Sequence, residues 1–125
     1  MRSWQCVLAC SLALLLFGCG ASKSKQNLLK SQAEISFYAD SFEGKRTASG
    51  STFRQREKTA AHRTLAFGTK LKVVNTKNGK SVVVTITDRG PSKKSRELDL
   101  SKSAFLEIAE STSIGILKAE IYIIN

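Results

Sequence analysis

The chain has 125 residues, 20 of them Lys or Arg against 10 Asp or Glu, for a formal charge of +10. That length leaves room for one domain and little else. All three cysteines fall within the first 19 residues, so the remainder has no internal disulfide, no thiolate metal site and no cysteine nucleophile.

Arg2, the apolar run Val7 to Phe17, and the small residues Gly18 and Gly20 around Cys19 make up the three parts of a secretory signal. An uncleaved membrane helix needs about 20 apolar residues, a length that Trp4 to Ala21 only just reaches. Leu16-Phe17-Gly18-Cys19 resembles the bacterial lipobox, in which the peptide is cut before a cysteine whose sulfur receives a diacylglycerol. The resemblance implies a signal over residues 1–18, a lipidated Cys19 and residence in the cell envelope. Gly20 rather than Asp follows the cysteine, which suggests the outer membrane, facing the periplasm, where the host has one. One acyl chain anchors weakly, and the three of a mature lipoprotein hold firmly.

Loss of residues 1–18 removes only Arg2 from the charge, so the exported chain stays strongly basic. Such a charge favours anionic partners, among them lipid headgroups and the carboxylates of peptidoglycan glycan strands. Nucleic acid, the usual partner of a basic chain, is excluded by export.

Residues 19–33 read as the lipidated cysteine and a polar tether, because Gly20 to Ala33 are mostly small or polar without a sustained period. The domain is expected over residues 34–125. Ile35 to Tyr38 is a short β-prone run. Leu71 to Val74 and Ser81 to Thr87 flank Asn78-Gly79, and Asn-Gly between β-branched runs predicts a hairpin with positive φ at both central residues. Val82, Val84 and Ile86 fall on one face of the second arm, with Val83, Thr85 and Thr87 on the other. Glu97 to Leu100 predicts a further strand with Leu98 and Leu100 inward. Ser101 fits the N-cap of a short helix in which Phe105, Ile108 and Ala109 share a face. After Gly115, Leu117, Ala119, Ile121 and Ile123 alternate as a last strand. Short strands, one helix and no βαβ rhythm predict a small, mainly β barrel.

Three stretches look too particular for packing alone. Gly44 to Gly50 is a loop of small polar residues between glycines, either an approach for a ligand or an ordinary surface turn. Thr59 to Leu65 holds the only histidine, His62, which by itself fits a hydrogen-bonded structural residue at least as well as a catalyst and forms no metal site. Asp88-Arg89-Gly90-Pro91 closes the best strand, where the aspartate either caps a turn or presents a carboxylate.

These stretches, with Ala33-Glu34-Ile35-Ser36-Phe37-Tyr38, Arg46-Thr47-Ala48-Ser49-Gly50, Thr59 to Thr69, Asn78 to Val84 and Leu98-Asp99-Leu100-Ser101, stand in the order in which the chain resembles the rare lipoprotein A (RlpA) family. The resemblance implies a six-stranded double-psi β-barrel with one or two short helices. It also implies an endolytic peptidoglycan lytic transglycosylase, in which the 6-hydroxyl of muramic acid attacks its own ring carbon to leave a 1,6-anhydro end. A glycosidic bond breaks through an oxocarbenium-like state, so one group must protonate the leaving oxygen and another must stabilise the positive ring. Asp88 matches the family's catalytic aspartate and His62 its active-site histidine. Lys45, Thr47, Ser49, Ser51, Arg63 and Arg89 are the expected substrate contacts.

One position departs from the family. Its catalytic glutamate directly follows the glycine of the Thr-Ala-x-Gly block, and here that residue is Ser51. A serine hydroxyl is a poor proton donor, and acid–base help is worth about 10²–10⁴-fold. Glu43 and Glu57, on neighbouring loops, are the candidate substitute acids. The C-terminal peptidoglycan-binding repeat domain of many members is not expected after the last strand, so targeting would rest on the barrel's charge. Two functions of different class stay open: a lytic transglycosylase, and a non-catalytic, expansin-like barrel that grips wall glycan. Either is expected as a monomer without cofactor or metal.

Overall fold

Side-chain alternation and two parallel strand pairings shape this chain. A computed structural model describes residues 26–125; the expected signal, Cys19 and the start of the tether lie outside the described residues. β3 (Lys70–Asn75) and β4 (Ser81–Asp88) form the expected antiparallel hairpin. Val84 and Ile86 are fully buried while Val83 is 47% exposed, as a period of two requires. The turn differs from expectation. Only Gly79 takes a positive φ, of 76°, and residues 76–80 all lie between the strands. Asn78 is held instead by its side chain, which accepts from the Lys80 N–H at 2.9 Å and donates to the Ile108 carbonyl at 3.1 Å. The buried Asn75 donates to the same carbonyl at 2.7 Å. Those bonds tie the hairpin to the end of a helix and favour the wider turn.

β1 (Gln26–Phe37), β2 (Thr59–Ala61), β5 (Arg96–Leu100) and β6 (Leu117–Ile124) complete a closed barrel in the order β1-β5-β2-β4-β3-β6. β1 runs parallel to β5 and β2 parallel to β4; the other neighbours are antiparallel. Residues 26–33, expected as tether, belong to β1. Their side chains are mostly exposed, but the backbone pairs along β6 from Gln26 opposite Ile124. The register shifts between Lys30 and Ala33, with Gln32 at φ 52°, and the strand then sends Ala33 and Ile35 into the core.

Ile35, Leu71, Val73, Val84, Ile86, Leu98, Leu100 and Ile121 are fully buried inside the barrel. Each contributes about 1.5–3 kcal/mol by leaving water, which is how a domain without disulfides holds together. Helix α1 (Lys102–Ile108) begins at the expected cap, where Ser101 accepts from the Ala104 N–H. It lays Phe105 against Phe37 with ring centroids 4.7 Å apart and buries Ile108. Two single 3-10 turns, Asp40–Phe42 and Thr112–Ile114, complete the secondary structure of the described residues.

Candidate active site

Strand register places four residues in a row near one end of the barrel. Asp88 on β4 pairs with Ala61 on β2, Ala61 with Asp99 on β5, and Asp99 with Ser36 on β1. Leu98 and Leu100 face the core, so Asp99 between them faces outward, as does Ala61 beside the inward Ala60. Tyr38, just beyond β1, packs with Phe53 and Ala61 as a second small cluster, its ring 4.2 Å from that of Phe53. Phe53 thereby fastens the 44–58 loop against the floor of the row.

Asp88 sits at the centre of the converging donors. Its Oδ2 accepts from the Tyr38 hydroxyl at 2.6 Å, and its Oδ1 from the backbone N–H groups of Ala48 at 2.8 Å and Arg89 at 2.9 Å. Three donors aimed at one half-buried carboxylate suit a group that carries negative charge in place. Tyr38 feels the arrangement in turn. Burial first, then the bond to Asp88 and the charges of Asp88 and Asp99, push its phenol well above the ordinary tyrosine range.

The loop that supplies the Ala48 N–H is folded on itself. Arg46 and Thr52 form an isolated antiparallel bridge, and Gly50 at φ 93° makes the reversal between them. The Ser49 N–H reaches the Thr87 carbonyl at 3.1 Å and docks the loop on β4. The hydroxyls of Thr47, Ser49 and Ser51 form a triangle with sides of 2.7, 2.9 and 3.0 Å. A neutral hydroxyl cluster therefore stands on the loop beside Asp88.

His62 is adjacent to Asp88 through the backbone, its N–H donating to the Asp88 carbonyl at 3.1 Å. Its ring looks elsewhere. Nδ1 accepts from the N–H groups of Thr64 and Leu65, both at 3.1 Å, which puts the proton on Nε2, 3.0 Å from Glu97 Oε1. Both ring nitrogens are engaged and the residue is only 6% exposed. Glu97 also pairs with Lys30 at 3.1 Å and Arg63 at 3.6 Å. Burial pushes its carboxyl up, but the bonds from Lys30 and His62 and the charge of Lys30 together hold it below the usual range.

The expected substrate arginines have other partners. Arg89 donates to the carbonyls of His62 at 3.2 Å and Leu65 at 2.7 Å and lies 4.0 Å over the Phe67 ring. Arg63 donates to the carbonyls of Pro91 at 3.1 Å and Arg96 at 2.7 Å. Carbonyls left over by the two loops draw both guanidinium groups into the frame of the site. Lys45 stays exposed, its ammonium 5.5 Å from the Phe42 ring. Glu43 is held by the Gln55 N–H at 2.9 Å and Arg54 at 3.2 Å, and the Gln55 N–H holds its carboxyl below the usual range. Glu57 is exposed, with its carbonyl bonded to Ser103 of α1. Neither glutamate shares a hydrogen-bond partner with Asp88.

Among the described residues no three His, Cys, Asp or Glu side chains gather as metal ligands. Two shallow cavities, of about 250 and 380 Å³, adjoin each other around Asn75, Lys77, Ile114 and Leu117 and include none of the residues of this site. Sequence reading assigned no role to Tyr38, Glu97 or Asp99. Asp99 lay within a family-like block, but nothing local signals the contacts that Tyr38 and Glu97 make with residues 50 and 35 positions away.

Residues 30–121 match a family model described as "Lytic transglycolase". The chain belongs to the lytic transglycolase family. Similar relatives are the "Probable endolytic peptidoglycan transglycosylase RlpA" proteins of Treponema pallidum, 46% identical over 87 residues, and of Synechocystis, 49% identical over 87 residues. These matches cover 70% and 69% of this chain and 27% of each relative. The same name is carried by an Aquifex aeolicus protein 46% identical over 89 residues, covering 71% of this chain and 39% of the relative. The chain thus spans about a quarter to two fifths of the length of these relatives. Among solved structures, a Streptomyces papain inhibitor aligns with TM-score 0.61 at 18% identity, covering 80% of this chain and 94% of the inhibitor. A Clavibacter michiganensis expansin in complex with cellohexaose aligns with TM-score 0.56 at 19% identity, covering 81% of this chain and half of the expansin. At such identities these neighbours speak for the fold alone, a double-psi β-barrel.

Proposed function

We propose that this barrel is a peptidoglycan lytic transglycosylase that cleaves peptide-poor glycan strands to 1,6-anhydro-muramic acid ends during cell wall remodelling. It would work in the cell envelope, anchored through a lipid on Cys19. The observation that carries the reading is the Asp88 carboxylate, fixed by Tyr38, Ala48 and Arg89 beside the loop that carries the Thr47, Ser49 and Ser51 hydroxyls. The names of the relatives, endolytic peptidoglycan transglycosylases, support it.

Fixed negative charge next to the anomeric carbon stabilises an oxocarbenium-like ring, and because the donors are already in place no reorganisation is needed when the charge develops. As the bond to the neighbouring sugar breaks, the departing oxygen takes a proton from solvent, the muramic 6-hydroxyl oxygen bonds the ring carbon from within, and Asp88 takes the hydroxyl proton and returns it to solvent. No water is consumed. Thr47, Ser49, Ser51 and Lys45 lie on the loop that borders the carboxylate, where they would meet sugar hydroxyls and the lactyl carboxylate. His62, Arg63 and Arg89 act as positioning residues that hold the two loops around Asp88.

A second reading, an expansin-like barrel that binds glycan without cleaving it, is favoured by the hydroxyl triangle at the family's glutamate position. Digestion of peptide-stripped peptidoglycan by the full chain, with mass spectrometry of the ends, separates the two. Anhydro ends above the no-protein control are expected; glycan that is bound but never cut leaves the binder.

A further inference from the structure

We infer that the outer face of β3 and β6 lies against a surface of anionic lipid headgroups. The inference rests on the envelope reading above, in which Cys19 carries a lipid. Register sets the face out row by row. Val83, Lys72, Tyr122 and Leu28 are successive partners across β4, β3, β6 and β1. Thr85, Lys70, Ile124 and Gln26 form the next row. These side chains point outward, because Leu71, Val73, Val84 and Ile121, which alternate with them, are fully buried. At about 4.8 Å per strand each row spans about 14 Å. Leu28 is 56% and Val83 47% exposed, so apolar side chains stand in the open beside lysines.

The charge of the face is mostly of one sign. Lys70, Lys72 and Lys118 on the strands, with Lys77 and Lys80 in the hairpin turn, form no ion pair among the described residues. Lys70 donates to the Thr85 hydroxyl at 3.4 Å. The acids nearby are Glu34, opposite Lys118 in register, Glu120, which accepts from the Tyr122 hydroxyl at 2.6 Å, and Glu110 beside Lys77. Lys23 and Lys25 add to the positive charge just before Gln26. A headgroup layer attracts ammonium groups to its phosphates and takes tyrosine and aliphatic side chains just beneath them.

Chain length selects the same face. Gln26 is seven residues from Cys19, and at no more than about 3.6 Å each they keep it within about 25 Å of the acylated sulfur. A domain of about 100 residues is about 30 Å across, so a barrel resting on its opposite side would carry Gln26 beyond that reach. In the barrel order β2 stands three places from β6, and β5 three places from β3. Docking through β3 and β6 therefore turns β2, β5 and the loops around Asp88 away from the lipid, where glycan can reach them.

The test follows lysine acetylation by mass spectrometry. The chain is isolated from bacterial membranes and reconstituted on vesicles of phosphatidylcholine, alone or mixed with phosphatidylglycerol. On the mixed vesicles Lys70, Lys72 and Lys118 should react at least about fivefold more slowly than on phosphatidylcholine alone, and molar salt should reverse the protection. Lys45, Lys93 and Lys94, on the loops around the site, should change by less than about twofold. Equal rates on the two kinds of vesicle, or protection of Lys93 and Lys94 instead, overturn the inference and leave the anchor in place. Protection of the face by peptidoglycan strands but not by vesicles assigns it to glycan and overturns the inference as well. A chain that neither enters the membrane fraction nor holds to vesicles overturns the anchor reading itself.

Discussion

Replacing Tyr38 by Phe removes one oxygen and leaves the ring. The ring keeps its contacts with Phe53 at 4.2 Å and Phe42 at 5.3 Å, so the fold should lose only about 1 kcal/mol, the net worth of one hydrogen bond. The effect on Asp88 is larger. A hydrogen bond to a charged group contributes about 1.5–3 kcal/mol, and the lower end applies because Asp88 is half-exposed and keeps the Ala48 and Arg89 donors. About 1.4 kcal/mol is one factor of ten in rate, so turnover should fall about tenfold if Tyr38 holds the carboxylate where charge develops. The loss should fall on kcat with KM nearly unchanged, because the sugar contacts assigned to Thr47, Ser49 and Lys45 are untouched. Release of anhydro ends over a range of glycan concentrations, beside a urea unfolding curve, separates the two effects. A Tyr38→Phe protein with wild-type kcat, or one whose KM rises while kcat stands, would refute the positioning role.

His62→Ala leaves the Leu65 N–H and Glu97 Oε1 without their ring partners and should cost about 2 kcal/mol in chemical denaturation; a loss under about 1 kcal/mol would show that the imidazole bonds contribute little. Glu97, held below the usual carboxyl range in the fold, adds stability above its unfolded value near 4.5, and that share is lost as pH falls through the lower folded value. Glu97→Gln should therefore lie below wild type at neutral pH, with the gap closing in acid melts below about pH 4.5. A gap that persists unchanged to about pH 2 contradicts this. Ser51→Glu puts a carboxyl on the loop that borders Asp88 and should raise turnover by more than about tenfold over the wild-type chain; an unchanged rate would mean that position 51 does not face the leaving oxygen.

The strands with a two-residue rhythm were legible because burial is written into their alternation. Val82, Val84 and Ile86, or Leu117, Ala119 and Ile121, can face only one way. Ser101 announced the helix by its capping chemistry. β2 was not legible, since three residues with two alanines carry no pattern, and its pairings to β4 and β5 are long-range. The outer part of β1 was hidden for a similar reason: Gln26 to Lys30 pair through the backbone, and their exposed side chains record nothing of it. At the site, the sequence blocks drew attention to Asp88, His62 and Ser51. They could not show that the histidine faces Glu97, that both arginines are taken by carbonyls, or that Asp99 lies across Ala61 from Asp88. Those facts belong to strand register, which only the closed barrel fixes.

The proposed function turns on the carboxylate at the end of β4 acting on a sugar ring. Asp88→Asn keeps size and can still accept from Ala48 and Arg89, so the barrel should melt close to wild type and still sediment with glycan strands. Its rate of new anhydro-end formation should fall by a factor of about 100 or more. An Asp88→Asn protein that opens strands as fast as the parent would contradict the central claim.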